Sequence, residues 1–295
     1  MDNPDIRDWT VCSVLDWTAD YFERHNISGA RLDAEILLSH VLKCPRLDLN
    51  LRKDERIPEK ILSQYKRFIT ERKERKPLAY ILGEHEFMGM SFRVNNATLI
   101  PRPETELLVE EVVNLVRGKG KKVLVEVGTG SGNISVSIAK LTDITTIYAT
   151  DISMDALKVA QENVFKHSVA SKVVLRQGDM FRALESDGLE GKTDIIVSNP
   201  PYVSLDEFDG LEPELKYEPR NALNGGEDGL DFYKILSVES RKYLKPGGLI
   251  AVELNSNKSY QIRDIFESTG FAVETIIKDY SGLDRVLTAK IINSR

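Results

Sequence analysis

Val123-Leu124-Val125-Glu126-Val127-Gly128-Thr129-Gly130-Ser131-Gly132 is the stretch that decides the fold. Its first five residues read as a short buried strand. The glycines behind them let the backbone turn sharply into the helix that the apolar spacing predicts over 134–141. Strands and helices then alternate: strands over 145–150, 173–176, 194–198 and 249–253, helices over 154–167 and 230–243. Alternation of this kind makes a parallel sheet with helices on both faces. Two last strands, 272–277 and 285–292, leave only the seven residues 278–284 between them. A parallel crossover needs roughly a dozen residues, so this pair is expected to be an antiparallel hairpin.

Upstream of the glycines the pattern changes. Residues 10–76 read as helices, with Val11, Val14, Leu15, Tyr21 and Phe22 on one apolar face and Leu32, Ile36, Leu38, Val41 and Leu42 on another. Pro58 marks a third helix start, and Pro77 the end of the helical region. Residues 86–94, centred on Met88-Gly89-Met90, read as a hairpin, and a helix over 105–117 is broken by Gly118-Lys119-Gly120. The expected organisation is a helical, substrate-docking bundle over 1–83, a hairpin linker over 84–100 and an α/β domain over 101–295. Lys66, Arg67, Arg72, Lys73, Arg75 and Lys76 form a basic run with Glu71 and Glu74 inside it. Two readings stand: a solvated helix face, or a docking surface for an RNA-like or acidic partner.

Composition narrows the class. Of 295 residues, 41% are hydrophobic and 29% charged, ordinary for a globular protein, and the net charge of −6 argues against stable nucleic-acid binding through phosphates. Cys12 and Cys44, with four histidines, offer neither a disulfide framework nor metal-ligand spacing, so no metal is expected. Asp2, Asp5 and Asp8 stand where a secretory signal would be apolar, and no long uncharged apolar run occurs. A cytoplasmic protein without a membrane partner is expected.

The glycine loop excludes two common ligands. A dinucleotide fingerprint would place its third glycine where Asn133 stands, and the lysine and hydroxyl residue of a triphosphate loop are missing. Glu126 would repel a pyrophosphate but suits a cationic amino-acid ligand. S-adenosylmethionine carries an ammonium and a sulfonium and no phosphate, and Glu126, Gly128, Thr129, Gly130, Ser131 and Gly132 are read as its site. Asp151, 23 residues beyond Gly128, is placed to accept from the ribose hydroxyls, or else to cap the helix that follows. Asp179 is placed to meet the adenine amino group, with Met180 or Phe181 against the ring.

Asn199-Pro200-Pro201-Tyr202 ends the strand over 194–198. Two prolines fix the backbone there, so the Asn199 side chain and the Pro200 carbonyl point in set directions. Converging acceptors of this kind take both hydrogens of an NH2 group, and Tyr202 offers an aromatic face to a planar one. Asn199, Pro200 and Tyr202 are therefore read as catalytic, and Asn199, Pro200, Pro201 and Tyr202 as the acceptor pocket of a methyltransferase acting on planar nitrogen. DNA adenine, rRNA guanine and protein glutamine methyltransferases share this motif. Nucleic-acid base methylation and a non-catalytic S-adenosylmethionine-binding module therefore stay open at this point.

The sheet with its carboxy-terminal hairpin is similar to that of the Rossmann-like class I methyltransferases. Leu99-Ile100-Pro101-Arg102-Pro103-Glu104-Thr105-Glu106-Leu107-Leu108 resembles a signature of the bacterial peptide chain release factor N5-glutamine methyltransferases, the HemK/PrmC family. So do Arg31-Leu32-Asp33-Ala34-Glu35, residues 75–83, Tyr217-Glu218-Pro219-Arg220, residues 225–233 and Asp284-Arg285-Val286. The resemblance implies S-adenosylmethionine as cofactor at Gly128–Gly132, Asp151, Met180 and Asn199. It also implies class-1 release factors as partners, the glutamine of their Gly-Gly-Gln loop being the acceptor held by residues 199–202. Arg102 and Glu104 are expected to shape the acceptor pocket, or else to form a capped helix start with a surface ion pair. Three departures stand out. Met180 replaces a frequent Trp, Glu126 a common Asp, and Asn255-Ser256-Asn257-Lys258 the usual glycine-containing turn.

Overall fold

A computed structural model describes residues 9–118, 120 and 122–292. Asp2, Asp5, Asp8, Lys119 and Lys121 lie outside the described residues. The chain divides into two compact units. One comprises the residues up to Gly83 together with Pro213–Tyr217, the other Glu84–Glu212 and the residues from Glu218 onward.

The first unit is helical, with α1 (Val11–Arg24), α2 (Ala30–Leu42), the single turn α3 (Asp48–Leu51), α4 (Glu59–Lys73) and α5 (Leu78–Leu82). Thr10 and Ser13 cap α1 reciprocally, each side chain accepting from the other's backbone N–H. Behind that cap, Val11, Val14, Leu15, Thr18 and Phe22 fall on one buried face at the helical period. Pro77 does not end the helical region: it caps α5, where a missing N–H costs nothing.

The basic run turns inward. Arg72 is buried, its Nε donating to Asp33 Oδ2 at 2.7 Å and its Nη1 to Glu214 Oε1 at 3.0 Å. Arg75 Nη2 reaches Glu214 Oε2 at 2.9 Å, and Lys76 pairs with Glu71 at 2.6 Å. Much of the run therefore neutralises the unit's own acids, which weakens its reading as a docking surface for an acidic partner.

The second unit opens with an antiparallel hairpin, β1 (Glu84–Phe87) and β2 (Met90–Arg93), followed by α6 (Pro103–Val116). Its seven-stranded sheet contains β3 (Val123–Val127), β4 (Thr146–Asp151), β5 (Val173–Gln177), β6 (Thr193–Ser198), β7 (Leu244–Glu253), β8 (Phe271–Lys278) and β9 (Asp284–Ile291). Helices α7 (Asn133–Leu141), α8 (Met154–Lys166), α9 (Asp231–Tyr243) and α10 (Ser259–Ser268) connect them. The strand order is β5-β4-β3-β6-β7-β9-β8, parallel through β7 and antiparallel in the last two pairings. This is the Rossmann-like methyltransferase sheet with its terminal hairpin. Alternate strand residues feed two cores: Leu124, Ile195, Val197 and Ala251 pack with α6 and α7, while Val125, Ile196, Ile250 and Val252 pack with α9 and α10.

The hairpin is fastened to α8 and the glycine loop by a buried amide. Asn163 of α8 accepts from Arg93 N at 2.7 Å and donates to Arg93 O at 2.9 Å and to Ser131 O at 2.8 Å. In the first unit, Arg72→Ala leaves Asp33 and Glu214 without their shared cation. Urea denaturation followed by circular dichroism should show that unit losing about 3–5 kcal/mol. A loss below about 1 kcal/mol would mean the cluster behaves as exposed ion pairs do.

Candidate active site

Register places the candidate residues. Val127 of β3 pairs with Thr150 of β4 and with Ser198 of β6, so the residues that follow, Gly128, Asp151 and Asn199, emerge side by side. Asp151 in turn pairs with Gln177 of β5, which brings up Gly178, Asp179 and Met180, and Ser198 pairs with Val252 of β7, which brings up Glu253. The chain runs outward from β3 through β4 and β5, then returns to β6 on its other side. Such a switch in strand order opens a crevice at the carboxyl ends of the strands. A cavity lies there, lined by Gly128, Thr129, Gly130, Ser131, Asp151, Asp179, Met180, Asn199, Pro200 and Pro201 among others.

Gly128 and Gly130 have φ of 77° and 54°, and a Cβ on either would meet no protein atom within 4 Å. Glycine serves there for the backbone turn and for the space left beside it. Gly130 N donates to Asp151 Oδ2 at 2.8 Å and Ser153 N to Asp151 Oδ1 at 2.8 Å, which fixes the carboxylate at the cavity wall. Burial pushes its pKa up against these donors. Ser153, not Asp151, caps α8, its side chain accepting from Ala156 N. Met180 lines the cavity with φ of 49°, a conformation that non-glycine residues seldom adopt and that recurs at functional sites.

Several expected residues stand elsewhere. Glu126 is completely buried and is not among the cavity residues. Its Oε2 accepts from Thr129 Oγ1 at 2.8 Å, from Ser135 N at 3.1 Å and from the Ser135 hydroxyl, while Oε1 has no partner. It braces the loop from behind. Gly132 caps α7 and packs close to Ala160 of α8. The Tyr202 ring packs against the core beside α9 rather than lining the cavity, and Phe232 is the aromatic residue on the cavity wall. Arg102 lines the cavity, paired at 2.6 Å with the buried Glu218, whereas Glu104 is half-buried, lies 3.9 Å from Arg285 and is not among the cavity residues.

Asn199 Nδ2 donates to Thr105 Oγ1 at 3.2 Å, and Thr105 Oγ1 donates to Glu253 Oε2 at 2.6 Å. Behind the proline corner, a Cβ on Gly225 would lie 2.7 Å from Tyr202 Cα, and one on Gly229 would lie 2.5 Å from Tyr202 O. Only backbone fits between that segment and residues 201–202. The loop after β7 needs no glycine: Asn255 accepts from Asn257 N at 3.1 Å and donates to Tyr202 O at 3.4 Å.

Comparison with known proteins gives the family. Residues 13–83 match the PrmC N-terminal domain and residues 103–216 the methyltransferase small domain. The release factor glutamine methyltransferase of Clostridium acetobutylicum is 42% identical over 278 residues, covering 94% of each chain. That of Geobacter sulfurreducens is 37% identical, covering 98% of this chain and 99% of its own. The chain belongs to the release factor glutamine methyltransferase family. A methyltransferase from Pyrococcus furiosus has a similar fold, with a TM-score of 0.50 at 19% identity, covering 77% of this chain and 98% of that one.

Within this family member, two fully buried carboxyls stand behind the cavity wall, and burial pushes both Glu126 and Glu253 up to about 7. A carboxyl whose folded pKa exceeds its unfolded value contributes most below the unfolded value. It loses that contribution as pH rises through the folded one. Stability should therefore decline between pH of about 4.5 and about 7, the window set by the ordinary glutamate value and the raised one. Thermal unfolding of Glu126→Gln across that range should show a shallower decline than the parent protein. An unchanged slope would mean that Glu126 does not carry the dependence.

Proposed function

We propose that this chain transfers a methyl group from S-adenosylmethionine to the side-chain amide nitrogen, N5, of the glutamine in the Gly-Gly-Gln loop of class-1 peptide chain release factors. One observation carries the reading: a chain similar over nearly its whole length to release factor glutamine methyltransferases has its glycine loop and its Asn199-Pro200 corner on one cavity. The residues present suit the cofactor. A phosphate-free, cationic ligand fits a loop without basic side chains, Asp151 retains lone pairs for the ribose hydroxyls, and Asp179 and Met180 border the place for adenine. When bound, S-adenosylmethionine supplies a methyl group already activated on a sulfonium.

The protein's part is alignment. An amide nitrogen is a poor nucleophile because its lone pair is delocalised into the carbonyl. Holding it in line is worth effective molarities on the order of 10⁵–10⁸ M. Asn199 Oδ1 and the Pro200 carbonyl accept the two N–H bonds of the glutamine amide, and these bonds strengthen as the nitrogen becomes more acidic on methylation. Phe232 flanks the flat amide, and Arg102 borders the entrance with its charge held by Glu218. The helical unit docks the release factor body, and the α/β unit carries the chemistry. Among the described residues no helix is long and apolar enough to cross a membrane, and we place the protein in the cytoplasm, where release factors act.

Incubation with labelled cofactor, a release factor and bulk RNA, followed by mass spectrometry, tests the assignment. Label is expected on the Gly-Gly-Gln glutamine, and label confined to RNA overturns it. Asn199→Ala should remove most turnover while cofactor affinity stays within about tenfold, since alignment of the acceptor is its task. Near-normal turnover by that variant sinks the role given to Asn199.

A further inference from the structure

We infer that Thr105 and Glu253 are positioning residues that set which way round the Asn199 amide is held, and that protonation of Glu253 reverses it. This rests on the reading of Asn199 as the group that accepts from the substrate NH2. The geometry is a relay of three side chains from three elements. Asn199 follows β6, Thr105 lies in the first turn of α6, and Glu253 ends β7. Asn199 and Glu253 sit together because Ser198 pairs with Val252 across the sheet, and Thr105 bonds to both side chains. Thr105 and Glu253 are both buried.

A hydroxyl has one proton to give. Thr105 Oγ1 gives it to Glu253 Oε2 at 2.6 Å, so toward Asn199 it can only accept, and Nδ2 stands 3.2 Å away. The amide nitrogen is thereby committed to Thr105, and Oδ1 is left for the substrate. With the amide turned over, two NH2 groups would face each other and nothing would hold the acceptor nitrogen. The polarity of the relay thus decides whether the corner receives an amide or repels it.

That polarity depends on an ionised Glu253. Once protonated, the carboxyl donates to Thr105 Oγ1, and the Thr105 proton becomes free for Asn199 Oδ1. The amide then turns, and its nitrogen faces the acceptor. Burial pushes the Glu253 carboxyl up to about 7, with Glu104 raising it further and Arg285 and Arg102 opposing. The Tyr202 and Tyr233 phenols, from the proline corner and α9, face the same carboxylate, and both are pushed above the ordinary phenol range, chiefly by burial. Both phenols therefore stay neutral near neutral pH, where burial brings the Glu253 carboxyl into its range of change.

Four measurements decide it. Thr105→Val keeps the shape and removes the relay, and kcat should fall about 10–100-fold, the worth of a hydrogen bond to a charged group. Cofactor affinity by calorimetry should stay within about threefold, and Thr105→Ser should restore most of the turnover. In the 15N-labelled full chain without ligand, the Asn199 side-chain amide, identified by its loss in Asn199→Ala, should shift with a midpoint near 7. The kcat profile should rise through the same pH, and both transitions should vanish in Glu253→Gln. An inactive Asn199→Ala beside a fully active Thr105→Val, or a titration unchanged in Glu253→Gln, overturns the relay and leaves the function standing. A fully active Asn199→Ala overturns the relay together with the role given to Asn199, and label confined to RNA overturns the function.

Discussion

Everything in the candidate site hangs from in-register parallel pairing in the middle of the sheet. Val127 opposite Thr150 and Ser198, and Ser198 opposite Val252, bring four strand ends to one level. The residues just beyond, Gly128, Asp151, Asn199 and Glu253, are separated by up to 125 positions in the chain, yet they stand in a row. A slip of one residue in β6 would turn Asn199 away and move the fully buried Ile196 into the opposite core. Core burial and site geometry are therefore the same constraint. The six buried residues of β6 hold that register against both neighbouring strands.

Behind this row, the proline corner is fixed from two sides. Its prolines restrict the chain from within, and Gly225 and Gly229 admit the backbone of residues 201–202 so closely that no side chain fits. Val203 N donates to Leu223 O at 2.9 Å and Gly225 N to Val203 O at 2.8 Å, so the two segments bond like neighbouring strands. The two buried carboxyls serve opposite ends of the cavity. Glu126 gathers the donors of Thr129 and Ser135 and stiffens the glycine loop, while Glu253 takes the Thr105 proton behind Asn199.

The strands, the helices over the sheet and the antiparallel close were legible because hydrophobic period and connection length are local properties. The meeting of Gly128–Ser131, Asp151 and Asn199 on one cavity was legible because those residues sit at strand ends, where a side chain's neighbours follow from topology. What escaped depends on which way a side chain turns. Glu126 faces inward, since β3 is covered on both faces, and Tyr202 packs into the core where an aromatic at a cavity was expected. Phe232, Thr105 and Glu253 reach the site or its support from distant elements, and their own segments give no sign of it. Thr105 lies among Arg102, Glu104 and Glu106, a run marked by its charges and not by its hydroxyl. The short helix α10 has only Ile262, Ile265 and Phe266 on its apolar side, too few to mark a helix by period. The membership of Pro213–Tyr217 in the helical unit arises from the grip of Arg72 and Arg75 on Glu214, an ion pair across some 140 positions that no local pattern announces.

The ionisable side chains on the cavity wall are Arg102, Asp151 and Asp179. Arg102 is held by Glu218, and the Asp151 carboxylate is engaged by two backbone N–H groups, so neither stands ready to remove a proton from the acceptor. For an activated methyl donor this is no loss, because the proton on nitrogen becomes acidic only as the new bond forms. What the protein must supply beforehand is direction. Direction at an amide is a matter of which end is oxygen, and a side-chain amide by itself is nearly symmetric in shape. The asymmetry must come from whatever lies behind it, and behind Asn199 lies a single hydroxyl committed to a buried carboxylate.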